Sequence, residues 1–328
     1  MIIVTGATGH LGNVLVKRLV KEGYKVGIIA HNKPPREIMG DIDYTVFNAD
    51  VTSYSTLIEP FKNAEIVFHL AAKISITSGE YDELYKVNVE GTANIVRACL
   101  EQGVKKLVYV STVHTLEEKP MGIPIIEEVI ENTSNAFGDY SKSKILAYKE
   151  VMNGVKKGLK TVIVFPTGIV GPFDYRPSQI GQMVRDFLAK KPIRYLDGAY
   201  DYVDVRDVVN GIMLAFNKGR NGEGYLLSGH AITVKEMYEV LKKVSGINVK
   251  MFKIPTFLAL FLSYFAEAYS KLIHKEALFT PYSIRVLQSN PLISSDKARN
   301  ELGYIARPFE QTIKDEIGWF KGEKIDIY

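Results

Sequence analysis

Along the first half of the chain, short runs of apolar and β-branched residues recur without the strict alternation of a half-buried strand. They are MIIVT at 1–5, KVGIIA at 25–30, YTVFNA at 44–49, IVFHLA at 66–71, KLVYVS at 106–111 and KTVIVF at 160–165. Runs of this kind predict strands buried on both faces, as in a parallel sheet covered by helices. Between them the apolar positions take helical spacing. HLGNVLVKRLVKEG places Leu11, Leu15 and Leu19 on one face and stops at Gly23, and the helical stretch from Tyr81 is closed by Gly103. Strand, helix and strand repeated in this order predict an α/β fold, a Rossmann-type doubly wound parallel sheet.

From about Pro166 the pattern loosens into Gly- and Pro-rich loops such as PTGIVGPFDYRPS, with isolated strands and, from Ser294, two helices, SSDKARNELG and FEQTIKDEIGWF. The expected organisation is a dinucleotide-binding domain over 1–166 and a smaller mixed C-terminal substrate-binding region over 167–328, with some segments of the latter returning to the first. One apolar run, Ile254 to Leu272, stands apart. Its strongly apolar core, Phe257 to Ala266, is about half of the roughly 20 residues needed to span a bilayer. A buried or substrate-covering helix is the expectation, and contact with a membrane surface is the alternative.

Composition narrows the classes. With 328 residues and 46% hydrophobic content, the chain can build a large core. The excess of 41 basic over 37 acidic residues is spread without a basic block, so nothing asks for a nucleic-acid partner. The single cysteine, Cys99, falls on the buried side of a helix, excludes a disulfide within one chain, and has no histidine or second thiol spaced to make a metal site. The opening MIIVTG runs into a strand with no basic n-region or cleavage site, so a signal peptide is not expected and a cytoplasmic location is.

TGATGHLGN, joining the first strand to the first helix, carries Gly6, Gly9 and Gly12 in G-x-x-G-x-x-G spacing. Glycines are required where a strand turns sharply into a helix, where backbone approaches a pyrophosphate, and where helix and strand pack closely. Gly6, Thr8, Gly9, His10, Leu11 and Gly12 therefore form the expected phosphate-binding loop, with the helix N-terminus supplying N–H groups and dipole. An acid closing the second strand would bond the adenosine ribose and repel a 2′-phosphate, but Ala30 stands there, followed by His31, Asn32, Lys33 and Arg36. Room plus cations favours NADP, with NAD as the alternative and a merely solvated Lys33 and Arg36 as the plainer reading.

In FGDYSKSKILAYKEVM, Tyr140 and Lys144 lie four apart, on one helix face. A phenol normally loses its proton near pH 10, and a neighbouring cation makes it usable as an acid/base nearer neutrality. The strand just upstream ends in the hydroxyls Ser111 and Thr112.

Taken together, TGxxGxxG, NADV at 48–51, HLAA at 69–72, NVEGTANIV at 88–96, VYVST at 108–112, YSKSK at 140–144 and PTGIVGP at 166–172 resemble the extended short-chain dehydrogenase/reductase superfamily in order and spacing. The resemblance implies that Tyr140 is the acid/base, that Lys144 lowers its pKa and holds the nicotinamide ribose, and that Thr112 orients the substrate oxygen, with Ser111 as the second candidate. It implies that Asn88 is the catalytic helix asparagine, and that Asp50, Val51, Leu70, Ala71, Ala72, Pro166 and Thr167 line the cofactor. His69 and His114 are expected to serve packing or loops, His10 to face solvent, and Asp204 and Asp207 to be structural. A homodimer built through helices such as 80–102 and 139–156 is also implied.

Among the branches, Tyr200 stands in GAYDYVDVRD where nucleotide-sugar enzymes commonly carry an arginine, although Arg176, Arg185 or Arg194 could substitute. Glu117 and Glu118 fall too far along to match the dehydratase acid pair. PTGIVGPFDYRPS looks like the dihydroflavonol reductase and 3β-hydroxysteroid dehydrogenase branch. The expected activity is an NADP-dependent carbonyl reductase or alcohol dehydrogenase acting on a largely apolar small molecule. Two alternatives remain: a nucleotide-sugar epimerase or dehydratase with bound NAD, and a dinucleotide-binding redox sensor without turnover.

Overall fold

Seven parallel strands form the main sheet of the computed structural model, which describes residues 1–75, 77, 79–272 and 280–328. They are β1 (Ile2–Thr5), β2 (Val26–Ala30), β3 (Thr45–Asn48), β4 (Ile66–His69), β5 (Lys106–Val110), β6 (Thr161–Pro166) and β10 (Gly224–Leu227), in the order β10-β6-β5-β4-β1-β2-β3. The chain builds outward from β1 to β3 and then restarts on the other side of β1 with β4. That reversal opens a crevice at the C-terminal ends of β1 and β4, the place where open α/β sheets bind ligands. The seventh strand comes from beyond residue 166: β10 pairs with β6 through Gly224↔Ile163 to Leu227↔Pro166.

The missing alternation in the strand sequences has a direct cause. Ile2, Val4, Ile28, Phe68, Val108, Val162 and Val164 join one core with the helices His10–Lys21 and Val205–Lys218. Ile3, Ile29, Val67, Leu107, Tyr109, Ile163 and Phe165 join another on the opposite face, with Gly91–Glu101 and Gly138–Lys156. Both faces are covered, so both sets of side chains must be apolar. Cys99 is fully buried, and burial pushes its thiol well above the usual range.

The remaining strands are β7 (Gly168–Val170), β8 (Ile193–Tyr195), β9 (Ala199–Asp204), β11 (His230–Thr233) and β12 (Met251–Lys253). They form a mixed β11-β9-β7 sheet and a parallel β12-β8 pair. Asp204 caps the helix Val205–Lys218 and pairs with Arg206, which also bonds Asp315. Asp207 holds Arg307 through both its backbone N–H and its guanidinium. Both acids are thus structural, and beyond the helix-opening role expected of them they fasten the C-terminal segment.

Two elements depart from their sequence reading. The helix from Tyr81 is not uniform: Tyr81–Leu84 passes through a π-turn, Tyr85–Glu90, before Gly91–Glu101 resumes α geometry. The π-turn includes Asn88, which is buried facing the sheet ends. The apolar segment forms the helix Thr256–Leu272; of the buried or substrate-covering helix expected there, the structure overturns burial. Ala259, Ser263 and Glu267 face the protein, while Phe257, Phe261 and Phe265 are 76%, 60% and 62% exposed.

Candidate active site

The proposed cofactor and catalytic residues fall where the strands end. Gly6 follows β1, His31 to Lys33 follow β2, Asp50 and Val51 follow β3, and Leu70 to Ala72 follow β4; Thr112 comes two residues after β5, and Pro166 closes β6. Parallel pairing aligns these ends along a single edge of the sheet.

The glycine loop is dictated sterically. Gly6 has φ +69°, and a Cβ there would lie 2.7 Å from the Leu70 and Ala71 backbone. At Gly12 it would lie 2.0 Å from the Gly6 carbonyl oxygen, so no larger residue lets the helix seat against the turn. Gly9 is exposed, and its N–H closes the loop on Gly6 O at 3.1 Å. The helix that follows has no side-chain cap and no acid in its first turn, which leaves first-turn N–H groups and the positive dipole end for an anion. These features fit a dinucleotide diphosphate.

His10 does not simply face solvent: its Nε2 donates to Pro172 O at 2.8 Å. Asn13 Nδ2 reaches Phe173 O at 3.2 Å, so two side chains tie the glycine loop to the segment after β7. Leu11 packs partly against the core, and Thr8 is half-buried.

Beyond β2, His31, Asn32 and Lys33 are exposed, and Arg36 is engaged in an ion pair with Asp41. Burial would raise the Asp50 carboxyl, but the Thr52 N–H together with the charges of His31 and Lys86 outweighs it and holds the group below its usual value. Val51 is anchored by Asn94 Nδ2 on its carbonyl at 3.0 Å.

Thr5 Oγ1 accepts the N–H groups of Leu70 and Ala71 at 3.2 and 3.1 Å, which fixes the backbone after β4. With its lone pairs used, its hydroxyl donates to His69 Nδ1 at 2.8 Å, and His69 Nε2 then donates to Thr92 Oγ1 at 3.0 Å. Burial first, and the Lys144 charge second, push His69 down to about 3, so it is a neutral structural link. Asn88 Oδ1 accepts from Lys73 N at 2.8 Å, and its Nδ2 donates to Lys73 O and Ser143 Oγ, each at 2.9 Å. Ser143 in turn donates to Tyr140 O at 2.7 Å. Asn88 therefore clamps the β4 loop to the helix that carries Tyr140.

Lys144 is buried and donates from Nζ to Val110 O at 3.0 Å, with its charge 4.8 Å from the centre of the Tyr109 ring. No carboxylate pairs with it among the described residues, and burial pulls it down to about 7. Tyr140, half-buried, is pushed up by burial and by the neighbouring Tyr282, against a hydrogen bond from Thr112 that pulls down. Thr112 itself is buried and caps a short turn by accepting His114 N at 3.4 Å, while Ser111 Oγ faces Thr115 Oγ1 at 3.4 Å. Thr167 Oγ1 donates to Asp201 Oδ1 at 2.6 Å, and burial raises that acid to about 6.

Several residues around Tyr140 were not picked out as site residues from the sequence. His114 lies edge-on to the Tyr140 ring at 6.3 Å, stacks on Tyr200 and bonds its hydroxyl at 3.0 Å; burial pushes the imidazole down to about 4. Tyr282 packs on His114 and lies flat on Phe137 at 5.2 Å. These rings wall a cavity of about 280 Å3 that also reaches Glu117, Glu118 and Arg285. The sequence signals were Tyr200 standing where an arginine is common and His114 at a strand end, read there as a packing or loop residue; Tyr282 comes from a distant helix and carried none. Among the described residues no cluster of three or more His, Cys, Asp or Glu could hold a metal.

The family model described as the NAD dependent epimerase/dehydratase family matches residues 2–228. Sterol demethylase protein B of Methylococcus capsulatus is 29% identical over 97% of this chain and 98% of its own. A putative dihydroflavonol 4-reductase of Synechocystis is 27% identical over 97% and 94%. The crystal structure of gox2253 superposes with a TM-score of 0.85 at 30% identity, covering 98% of both chains. With a Rossmann-type sheet, a glycine loop and a family match over residues 2–228, the chain belongs to the NAD dependent epimerase/dehydratase family of extended short-chain dehydrogenase/reductase enzymes.

Proposed function

We propose that the chain is an NADP-dependent carbonyl reductase or alcohol dehydrogenase for a largely apolar small molecule. The observation that carries this reading is the cavity walled by His114, Phe137, Tyr200 and Tyr282, with His114 edge-on to the Tyr140 ring. Aromatic walls suit an apolar substrate, and Tyr200, bonded to His114, stands where a diphosphate would need a cation. Two relatives whose names refer to a sterol and a dihydroflavonol support the same substrate class.

When bound, the nicotinamide exchanges a hydride with the carbinol or carbonyl carbon. Tyr140, raised by burial and so protonated near neutral pH, donates its proton to the substrate oxygen in the reductive direction. Thr112 holds that oxygen within reach. Lys144 stabilises the phenolate that remains, and the Asn88 to Ser143 contact keeps the Tyr140 backbone in place. Gly6, Thr8, Gly9, His10, Leu11 and Gly12 hold or shape the diphosphate site, and Asp50, Val51, Leu70, Ala71, Ala72, Pro166 and Thr167 flank the adenine and nicotinamide ends. Ala30, followed by His31, Asn32 and Lys33, leaves room and positive charge for a 2′-phosphate. The cavity draws on both sides of residue 166, from His114 and Phe137 as well as Tyr200 and Tyr282, so the substrate is held by both regions rather than mainly by 167–328, and the active form is a dimer built through the helices at 80–102 and 139–156.

A panel of ketones and aldehydes, read at the nicotinamide absorbance with NADPH and with NADH, tests the reading. Reduction with NADPH is expected, and Tyr140→Phe should lower kcat by roughly 100-fold or more while dinucleotide binding persists. Absence of NADP(H) binding by calorimetry, or NAD(H) carried through purification together with UDP-sugar conversion, would refute it.

A further inference from the structure

The helix Thr256–Leu272 is inside out. Its small and polar residues Ala259, Ser263 and Glu267, at i, i+4 and i+8, face the protein, and Ala259 packs on Leu196 and Ile284. Phe257, Phe261 and Phe265, at the same spacing on the opposite side, point outward, with the last two rings 5.0 Å apart. Leu258, Leu260, Leu262 and Tyr264 widen this exposed apolar face. An ordinary surface helix of a water-soluble protein has the reverse arrangement. Exposed apolar surface so continuous marks a contact.

The ground around the helix N-terminus is basic. β12 leads directly into it and pairs with β8, setting Phe252 beside Arg194. Lys190, Arg194 and Lys250 are exposed and make no ion pair among the described residues, whereas Asp186 and Asp197 are matched by Lys191 and Lys253. An anionic surface would neutralise the unmatched cations. No helix among the described residues is long and apolar enough to cross a bilayer. An apolar face with a cationic border is the form of a helix lying in the plane of a lipid interface.

We propose that the chain docks on an anionic lipid surface through the outward face of Thr256–Leu272, with Lys190, Arg194 and Lys250 meeting the headgroups. The same helix packs on Pro281–Gln288, whose Tyr282 and Arg285 line the cavity beside Tyr140, so docking places the cavity wall one helix away from the acyl region. This inference does not depend on the reaction assigned above.

The test is flotation of the full chain with vesicles of phosphatidylcholine alone or with about one third phosphatidylglycerol. Recovery with the anionic vesicles should exceed that with phosphatidylcholine by about tenfold, and the combined variant Phe261→Asp, Phe265→Asp should lose it. Lys190→Glu, Arg194→Glu and Lys250→Glu together should erase the preference for anionic lipid. In Phe261→Trp, which preserves the apolar face, the added emission should be quenched by bromine-labelled lipid. Wild-type protein that stays in the soluble fraction with both vesicles, or a position 261 tryptophan untouched by the quencher, overturns the proposal. So does lipid-free self-association that Phe261→Asp, Phe265→Asp reverses while vesicles recover no wild-type protein, because the occupant would then be a second copy.

Discussion

Replacing Lys144 with methionine in the dinucleotide-free protein isolates the cost of its buried charge. The buried ammonium has one carbonyl, Val110 O, as its hydrogen-bond partner and the Tyr109 ring beside it, and burial lowers it from 10.5 to about 7. Each tenfold in proton affinity is worth about 1.4 kcal/mol, so the full penalty is about 5 kcal/mol. Because the folded state holds the proton more weakly, the stability contribution is complete above pH 10.5, falls as the pH drops toward 7, and stays low below that. Lys144→Met keeps the length and packing but does not titrate. The unfolding free energy of the variant relative to wild type should therefore rise by about 3 kcal/mol between about pH 9 and about pH 6. Urea unfolding of both proteins at the two pH values measures this, and subtracting one from the other cancels the other titrating groups. A difference that does not change with pH would show that water reaches the ammonium, and the reasoning would fail. The same variant should lose turnover by roughly 100-fold or more.

Gly12→Ala forces a Cβ against the Gly6 carbonyl oxygen at 2.0 Å; it should cost about 1–3 kcal/mol of stability by urea unfolding and weaken dinucleotide binding in calorimetry. Ala30→Asp sets an acid where the 2′-phosphate is proposed to sit, so the ratio of kcat/KM for NADPH over NADH should fall by about tenfold or more. Asp204→Ala removes the buried partner of Arg206 and leaves Asp315 alone to balance it; unfolding should become easier by about 3 kcal/mol. An unchanged urea midpoint for that variant would mean that Asp315 suffices.

The strand runs and the turn glycines were legible because each is a local pattern with a steric cause. Adjacent residues in β1 serve different cores, Ile2 and Val4 one and Ile3 the other, and the apolar requirement on both faces is written into MIIVT itself. The walls of the cavity were not legible. His114 follows β5, Tyr200 lies in β9 and Tyr282 in a helix more than 80 residues later, and only the folded chain brings them together. The π-turn at Tyr85–Glu90 leaves no periodicity to read, since the repeat merely slips by a fraction of a turn. At Thr256–Leu272 apolar content alone left burial, substrate cover and surface contact open, and Ala259, Ser263 and Glu267 decide which side faces in.

The late strand β10 sets an order of events during synthesis. Its partner β6 is complete at Pro166, yet the edge of β6 remains unpaired until Gly224–Leu227 has been made. Over that interval a nascent chain presents the backbone of Ile163 to Pro166 to any other strand, with Val162 and Val164 still awaiting the helix Val205–Lys218 that covers them. A fragment ending near residue 166 should aggregate rather than fold as a free unit, and the final closing of the sheet should be a slow, long-range step in refolding.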